Sequence, residues 1–485
     1  MAACQFLDKI DQINNLYDFL VILYEEIAPK EGAIIEEYEE QMDNEERRRL
    51  RKAVAQFLRG FKVDSVSSED KKTIKNFILG YSGEVGPLLL ALLKNIALLH
   101  HRSAPDETKT LESSSSFIVE KVEPLNSESF RTNYMVYPVR KSIYYELVSA
   151  DNRPRSEEAR SIGEPRMDIK VDNYLNSIDP ISDSQGVLIL KTCSLGDYKP
   201  NLLLLSDNKL NKHIERLKKK IRIASIPFAN STVTAAPINE QENEFFEFEV
   251  NPDGTRFSVS VKEEAILEEK VLYIIDSLAD KGIDILLFPE FHLTKDVYER
   301  IQDYLREEEH DYLFVLPGSC WNERENRTFL LDRKGRELLT QKKLSRFDIN
   351  GVEEDLSLSD RQVSFIDIPG LGRVNVFICR DYITSRYKSI VGGMSVDIFL
   401  GTIFSMSLTK FKEDAVNHSG RNHCMTFFAN VCGARLNDKP ISFSQIHSKN
   451  GFSLGANSDL SLDTYNYKDD SYCTCQWSEK SQFCY

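Results

Sequence analysis

The chain has 485 residues with a formal net charge of −15, and 41% of its residues are hydrophobic. This apolar content excludes a disordered chain, and the counts of 22 glycines and 16 prolines exclude a collagen-like one. The negative charge repels phosphate at long range, so we expect no nucleic-acid partner. At about 100–200 residues per domain, the length predicts two or three domains.

The sequence does not suggest a membrane or secreted protein. The best candidate for a membrane span, residues 87–99, contains Lys94 and Asn95 and is shorter than the roughly 20 apolar residues that a span needs. Acidic residues begin at Asp8 and no apolar leader follows them, so we expect no secretory signal. Nine cysteines, an odd number, are typical of free thiols in a reducing compartment. We therefore expect a cytoplasmic protein with no membrane partner.

Residues 1–101 are predicted to form a helical domain. Between residues 6 and 27, apolar residues recur at spacings of three and four, which predicts one helix that ends before Pro29 and Gly32. Another helix begins near Ser67 or Ser68, has acidic residues in its first turn, and ends near Gly80. Residues 87–101 are predicted to form a buried helix.

Two charged stretches are candidates for a partner-binding surface. The acidic run 36–46 precedes the basic run 47–52, and at helical spacing these charges pair four residues apart. A lysine-rich helix is predicted over residues 208–220. We interpret both stretches as solvated helix surfaces, and binding of a macromolecular partner is the alternative.

The middle of the chain is predicted to be a linker and a small mixed segment. Residues 102–116 include four consecutive serines and are typical of a linker. Residues 117–215 are predicted to be a mixed α+β segment. Its strand-like runs are residues 117–122, 136–147, 186–191 and 201–205.

Residues 216–460 are predicted to form an α/β domain, because apolar strands alternate with helices. One helix is predicted over residues 262–281. Several strands are almost continuously apolar, which is typical of strands that are covered on both faces. The predicted strands are residues 221–226, 283–288, 312–316, 328–331, 374–378, 398–400 and 427–431. Residues 461–485 are predicted to be a flexible, cysteine-containing tail.

Three candidate catalytic side chains follow strands of this domain. Glu290 follows the strand at 283–288, a lysine doublet follows residues 336–340, and Cys379 follows the strand at 374–378. In α/β sheets, catalytic groups gather beyond the carboxyl ends of the strands. A thiolate is a nucleophile, an ammonium beside it lowers its pKa, and a carboxylate can accept its proton. Alone, each residue also has an ordinary structural interpretation, such as a buried hydrophobic cysteine.

Six motifs in a consistent order resemble the nitrilase, or carbon–nitrogen hydrolase, superfamily. The resemblance covers roughly residues 221–457. The motifs are Leu-Phe-Pro-Glu at 287–290, an Asn-strand-turn-Gly hairpin at 326–335, Lys-x-x-x-Phe within 343–348, Ile-Cys-x-Asp at 378–381, Ala-Asn-x-x-Gly at 429–433 and Ser-x-Ile at 444–446. The resemblance implies a four-layer α-β-β-α sandwich of two sheets, here preceded by the helical segment and the mixed segment.

The resemblance also implies the roles of the site residues. Cys379 would be the nucleophile, Glu290 the general base, and Lys343 the cation that stabilises the thiolate and the tetrahedral oxyanion. Glu354 would be a second carboxylate that helps to place Lys343. The backbone N–H of Arg380 would be a further oxyanion donor, and Asp381 would orient the nucleophile turn.

The sequence leaves several alternatives open. Lys342 replaces Lys343 if the register is shifted by one residue, and Glu353 is nearly as good a second carboxylate as Glu354. A cysteine–histidine dyad of Cys379 with His418 or His423 is another arrangement. In the tail, Cys473, Cys475 and Cys484 lack a fourth zinc ligand unless His447 supplies it, so we expect no metal.

The resemblance implies hydrolysis of a non-peptide, amide-type carbon–nitrogen bond through a cysteine thioester, with no cofactor, in a homo-oligomer. Arg380 and Asp381 follow the cysteine, where nitrile-hydrolysing members carry Trp-Glu, so we expect a small-molecule amide as the substrate. The long segment 227–261 can cover or reshape the substrate pocket. The alternative function is a nitrilase-like binding or signalling module that acts with a macromolecular partner through the N-terminal region.

Overall fold

The computed structural model describes most of residues 2–103 and 245–430, with shorter stretches elsewhere. The described residues are 2–27, 29, 33–34, 36–103, 117–123, 125, 134–138, 187–191, 198–207, 210, 214, 220–226, 245–359, 361–368, 371–394, 396–405, 409–422, 424–430, 435–436, 439–440, 445–447, 453–455 and 473–478. Most of the predicted linker, most of the lysine-rich helix, residues 227–244, His423 and Cys484 lie outside them.

The helices are numbered in chain order. They are α1 Ala2–Ile10, α2 Leu16–Ile27, α3 Asn44–Leu58, α4 Ser68–Leu79, α5 Val85–Ser103, α6 Glu264–Leu278, α7 Lys295–Glu307, α8 Ser385–Gly393 and α9 Thr409–Asn422. The described residues also include a π-helix, Glu36–Gln41, and a 3-10 helix, Cys379–Ile383. Within the described part of the chain, no helix has the length and apolar character needed to cross a membrane.

The predicted single helix between residues 6 and 27 is in fact two helices, α1 and α2. Asn15 separates them, because its side-chain Oδ1 accepts the backbone N–H of Asp18 at 2.8 Å. The N–H of Leu16 bonds instead to the carbonyl oxygen of Val63 at 3.0 Å. A side chain that caps a helix start satisfies donors that have no partner within the helix, so the break is stabilised locally.

The helices predicted near residues 67–80 and 87–101 are confirmed as α4 and α5, whereas the charged stretch 36–52 is divided between the π-helix and α3. Ser67 caps α4 and forms a capping box with Asp70, and Gly80 follows the last residue of the helix. Glu45 and Arg49, four residues apart on α3, form an exposed ion pair. Apolar residues from α1 to α5 share one core, which includes Ile10, Phe19, Val54, Ile74 and Leu92.

The strands are also numbered in chain order. They are β1 Ile118–Lys121, β2 Tyr134–Pro138, β3 Val187–Lys191, β4 Lys199–Ser206, β5 Lys220–Ser225, β6 Phe246–Val250, β7 Arg256–Val261, β8 Ile285–Leu287, β9 Phe314–Leu316, β10 Ser319–Asn322, β11 Glu325–Asp332, β12 Glu337–Lys342, β13 Asp348–Ile349, β14 Val352–Glu354, β15 Gln362–Ile368, β16 Gly372–Ile378, β17 Ile398–Thr402, β18 Met425–Ala429, β19 Arg435–Leu436, β20 Lys439–Pro440, β21 Gln445–His447, β22 Ser453–Gly455 and β23 Cys473–Ser478.

Three sheets position the candidate site. The first has the strand order β1-β4-β15-β16-β17-β18, and β16, β17 and β18 are parallel. The second has the order β10-β11-β9-β8-β5-β23, with β12 paired to β11, and β5, β8 and β9 are parallel. The third is small and has the order β13-β14-β7-β6.

Two strand pairings cross the domain boundaries that were predicted from the sequence. Strands β1 and β4 lie within residues 117–215, and β4 pairs with β15 of the α/β segment. Strand β23 lies in the predicted tail and pairs with β5. The boundaries drawn near residues 216 and 461 therefore separate strands that share a sheet.

The apolar strands are covered on both faces, as their composition predicts. Val376 of β16 packs in a core that joins the first and second sheets, whereas its neighbour Phe377 packs with α8 and α9. In the same way, Leu287 of β8 faces the first sheet, and Leu286 packs with α6 and α7. Successive side chains of a strand point to opposite faces, so each strand contributes to two cores. The fold is mixed α/β, with several sheets and helices.

A buried ion pair in the first sheet gives a test of this architecture. The guanidinium of Arg373 donates to both oxygens of Asp367, at 2.7 and 2.9 Å, and both side chains are buried. Asp367→Ala leaves the arginine charge buried without its carboxylate, so we expect a loss of about 3–5 kcal/mol in the free energy of unfolding. Chemical denaturation measures this loss.

Glu299→Ala is the matched control, because Glu299 pairs with Lys295 on the exposed surface of α7. Its free energy of unfolding should stay within about 0.5 kcal/mol of wild type. Equal effects of the two substitutions would contradict the buried position of Asp367.

Candidate functional site

Sharp turns after strands β8 and β16 place two of the candidate side chains. Phe291, which follows Glu290, has a φ of 67°, and Cys379 has a φ of 43°. Both values lie in the left-handed region, which costs free energy for residues with a side chain and is often found at functional sites. Gly318 allows the first turn, because a Cβ there would lie 2.4 Å from the carbonyl oxygen of Pro289.

Lys343 is the centre of the candidate site. Its Nζ lies 2.7 Å from Oε1 of Glu290 and 2.8 Å from Oε1 of Glu354. The three side chains are each about 1% exposed. Ion pairs at this depth are screened little by water, so the three charges hold one another in place.

Burial and charge shift the pKa values of this cluster in different directions. Burial alone would lower the pKa of Lys343, but the charges of Glu290 and Glu354 outweigh it and hold the pKa above its usual value. Burial raises the pKa of Glu354 to about 7, against the opposing effect of Lys343. Burial and then the charge of Glu290 raise the pKa of the Cys379 thiol well above its usual value. In the resting site, Lys343 is therefore charged and Cys379 is a protonated thiol.

Cys379 lies at the junction of β16 and the 3-10 helix Cys379–Ile383. Its side chain is buried, and its Sγ lies 3.7 Å from the carbonyl oxygen of Phe404. Electrostatic effects of Glu290, Lys343 and Glu354 all reach this thiol. The predicted nucleophile, base, cation and second carboxylate are thus brought to one place.

Asp381 ties the turn of Cys379 to the segment of Lys343. Its carboxylate accepts the N–H of Leu344 at 2.9 Å and the hydroxyl of Ser345 at 2.6 Å. The side chain of Arg380 makes a second tie, because it donates to the carbonyl oxygen of Arg346 at 2.8 Å. These bonds fit the orienting position predicted for Asp381.

The structure separates the alternatives in each charged doublet. Lys342 pairs with Glu325 at 2.8 Å near the surface. The side chain of Glu353 is 49% exposed and lies beside Arg256 and Arg346. Lys343 and Glu354, rather than these neighbours, meet Glu290.

For the histidine and metal alternatives, the structure describes only some of the residues concerned. The ring of His418 packs against the rings of Tyr382 and Phe399, each with a centroid distance of 5.3 Å. His423 and Cys484 lie outside the described residues, as do the side chains of Cys473 and Cys475. Among the residues that the structure describes, no group of three or more His, Cys, Asp or Glu side chains could hold a metal ion.

Asn326 is a site residue whose role the sequence did not reveal. Its side-chain Nδ2 donates to Oε1 of Glu290 at 2.8 Å, and its backbone oxygen accepts the N–H of Lys343 at 2.7 Å. One residue of β11 therefore holds both partners of the buried ion pair. One sequence feature points to Asn326: it begins the Asn-strand-turn-Gly motif, where an asparagine precedes an apolar strand.

A small cavity adjoins the cluster. Its volume is about 10 Å³, close to the minimum that one water molecule occupies. Apart from Glu290 and Lys343, its lining is apolar. The apolar lining residues are Phe248, Phe257, Phe291, Phe347, Ile349 and Phe404.

The buried carboxyl of Asp381 predicts a pH-dependent stability. Burial raises its pKa from 3.8 to about 7, so between these values the folded protein binds a proton that the unfolded chain releases. The stabilisation from this proton is present below about pH 4 and is lost as the pH rises to 7. Relative to Asp381→Asn, wild type should lose up to about 1.4 kcal/mol per pH unit over this window.

Denaturant unfolding of both proteins between pH 5 and 8 measures the difference. The hydrogen bond from Ser345 lowers this pKa, so Ser345→Ala should extend the loss to higher pH. A difference between wild type and Asp381→Asn that is the same at every pH would contradict the assignment.

A comparison with protein-family models and with curated proteins finds no match to the chain. Among solved structures, a mutant of Nesterenkonia AN1 amidase from the nitrilase superfamily is similar at 12% identity and a TM-score of 0.34, over 49% of this chain and 86% of that one. Saccharomyces cerevisiae Nit3, a member of branch 10 of the nitrilase superfamily, is similar at 11% identity and a TM-score of 0.33, over 53% of this chain and 90% of that one. Both likenesses are at low identity and extend over about half of this chain.

Proposed function

We propose that the chain is a carbon–nitrogen hydrolase that cleaves an amide-type, non-peptide bond through a thioester at Cys379. The observation that supports this most is the buried ammonium of Lys343, held between two carboxylates beside a buried thiol. A purely structural core has no need of three charged groups at this depth, since apolar residues of similar volume are usually as stable there.

In the first step, the Sγ of Cys379 attacks the amide carbon while the carboxylate of Glu290 accepts the thiol proton. Because its burial favours the neutral thiol, deprotonation accompanies attack rather than preceding it. The oxyanion that forms is stabilised by Lys343 and by the backbone N–H of Arg380.

In the second step, the carbon–nitrogen bond breaks and Glu290 returns its proton to the departing nitrogen, which leaves as ammonia or an amine. The acyl group then remains on Cys379 as a thioester. Water attacks the thioester, Glu290 accepts a proton from this water, and the thiol leaves with that proton to restore the resting site. The products are a carboxylic acid and ammonia or an amine.

Glu354 has a positioning role in this proposal. Its Oε2 accepts the N–H of Phe347 at 2.7 Å, while Oε1 accepts from Lys343. The two bonds fix the carboxylate and so fix the direction of the ammonium. Lys343 needs this second carboxylate because protonation neutralises Glu290 during each step in which it acts as the base.

The fold that we propose for this enzyme is a four-layer α-β-β-α sandwich. One apolar core joins the first and second sheets. A second core joins the second sheet to α6 and α7, and a third joins the first sheet to α8 and α9. These three cores correspond to the three interfaces of four layers.

Substitution of Cys379 tests the mechanism. Cys379→Ala removes the nucleophile, so hydrolysis should fall below detection, while circular dichroism and thermal unfolding remain close to wild type. Glu290→Gln removes the base and should lower kcat by about 10²–10⁴-fold. Release of ammonia from a panel of simple amides, with the full-length protein, measures both effects.

Cys424→Ala is the matched control, because Cys424 is also a buried cysteine but lies directly before β18 and not at the turn after β16. This variant should keep wild-type turnover. Hydrolysis that survives in Cys379→Ala would exclude the thioester mechanism.

A further inference from the structure

A hairpin of β6 and β7 forms one wall of the cavity beside the catalytic cluster. It occupies the end of the long segment 227–261. Along β6, the side chains of Phe246 and Phe248 are buried, whereas those of Glu247 and Glu249 are exposed. The hairpin therefore presents an apolar face to the site and a charged face to solvent.

Two phenylalanines of this hairpin reach the cavity. Phe248 and Phe257 are both among its lining residues, together with Glu290 and Lys343. Their rings meet edge to face at a centroid distance of 5.9 Å, and Phe248 also meets Phe404 at 6.3 Å. Such contacts fix the rings in one arrangement, so the wall is a packed surface and not a loose loop.

The hairpin is also joined to the catalytic cluster through the backbone. Strand β7 runs parallel to β14, and Phe257 is opposite Glu354 in that pair. The N–H of Asp355 donates to the carbonyl oxygen of Phe257 at 2.8 Å. A shift of the wall would therefore shift the carboxylate that positions Lys343.

The cavity has little room for an acyl group. Its volume is about 10 Å³, and one of its lining residues, Phe404, carries the carbonyl oxygen that lies 3.7 Å from the Sγ of Cys379. Most of the lining is apolar, and the charges of Glu290 and Lys343 already pair with each other, so burial of a charged substituent there is costly. A long or branched substituent would collide with the rings of Phe248 and Phe257.

We propose that Phe248 and Phe257 are specificity-determining residues that limit the substrate to amides with a short, uncharged acyl group. This inference rests on the proposed function. In this proposal, the β6–β7 hairpin of the long segment before α6 sets the depth of the acyl pocket. Glu290, Lys343 and Cys379 carry out the hydrolysis.

The first test compares kcat/KM for acetamide, propionamide and butyramide in full-length wild type, Phe248→Leu and Phe257→Leu. Wild type should lose rate steeply as the acyl chain lengthens. Each leucine variant should raise the ratio of butyramide to acetamide by about tenfold or more, since one methylene in an apolar pocket changes discrimination by about 10–200-fold. Leucine is used because alanine would cost about 3–5 kcal/mol of stability at a buried phenylalanine.

Phe245→Leu is the matched control. Phe245 is buried and directly precedes β6, but its ring packs against Lys270 of α6 and it is not a lining residue. This variant should keep the wild-type preference even if its stability falls. An altered preference in this variant alone, or an unchanged ratio in both wall variants, would overturn the proposal.

A second measurement separates this inference from the proposed function. Covalent labelling of Cys379 by 2-chloroacetamide and by 2-chlorobutyramide, followed by mass spectrometry, reports pocket size without turnover. If no amide is hydrolysed but the wall variants still raise the relative rate of the larger reagent, the hydrolase proposal fails and the wall assignment stands. If the relative labelling rates are equal in all variants, or Cys379 is labelled in none, the wall assignment fails.

Discussion

The site depends on one buried cation. Lys343 could not remain charged in the interior by itself, because burial penalises an ammonium without a partner. Glu290 and Glu354 offset that penalty. Hydrogen bonds from neighbouring groups hold these two carboxylates close to Lys343. Asn326 holds Glu290, the backbone of Phe347 holds Glu354, and each comes from a different strand or loop. Loss of either carboxylate leaves Lys343 with only one counter-charge, so the cluster depends on both.

The same cation explains why the thiol can be both protected and reactive. The two carboxylates disfavour a thiolate, and Lys343 favours it. In the proposed mechanism, this balance keeps Cys379 protonated until a carbonyl group arrives to receive the developing negative charge. A thiol held this way is slow to oxidise or to be alkylated without a reaction partner in the pocket, because the thiolate is the reactive species.

Much of the α/β fold could be predicted from the sequence, because continuous apolar strands and amphipathic helices leave a strong periodic pattern. The break between α1 and α2 could not be predicted, because the apolar spacing continues across it. The side chain of Asn15, which caps the start of α2, marks the break. The pairing of β4 with β15 and of β23 with β5 was also hidden. Strand pairing between distant segments depends on the tertiary arrangement, and a strand's own pattern does not name its neighbour.

At each charged doublet, the sequence left two candidates open, and the contacts of the two side chains differ. Lys342 and Lys343 have the same chemistry, and a register shift of one residue exchanges the buried side chain for the exposed one. The motif order favoured Lys343, and the contact with Glu290 distinguishes the two. For Asn326 the sequence offered only its place at the start of a motif. Phe248 and Phe257 could not be predicted to line the cavity, because their positions depend on how the β6–β7 hairpin packs beside distant segments.

The pairing of β23 with β5 has a consequence for the order of assembly. Cys473 is opposite Ser225, so one edge of β5 stays without its partner strand until nearly all of the intervening chain has been synthesised and folded. An open edge of an apolar strand is a template for pairing with other chains. Contacts between such distant residues also slow folding, because the closure of a long loop must precede them. The second sheet therefore has an edge that is open to intermolecular association during biosynthesis, and its last strand covers that edge late.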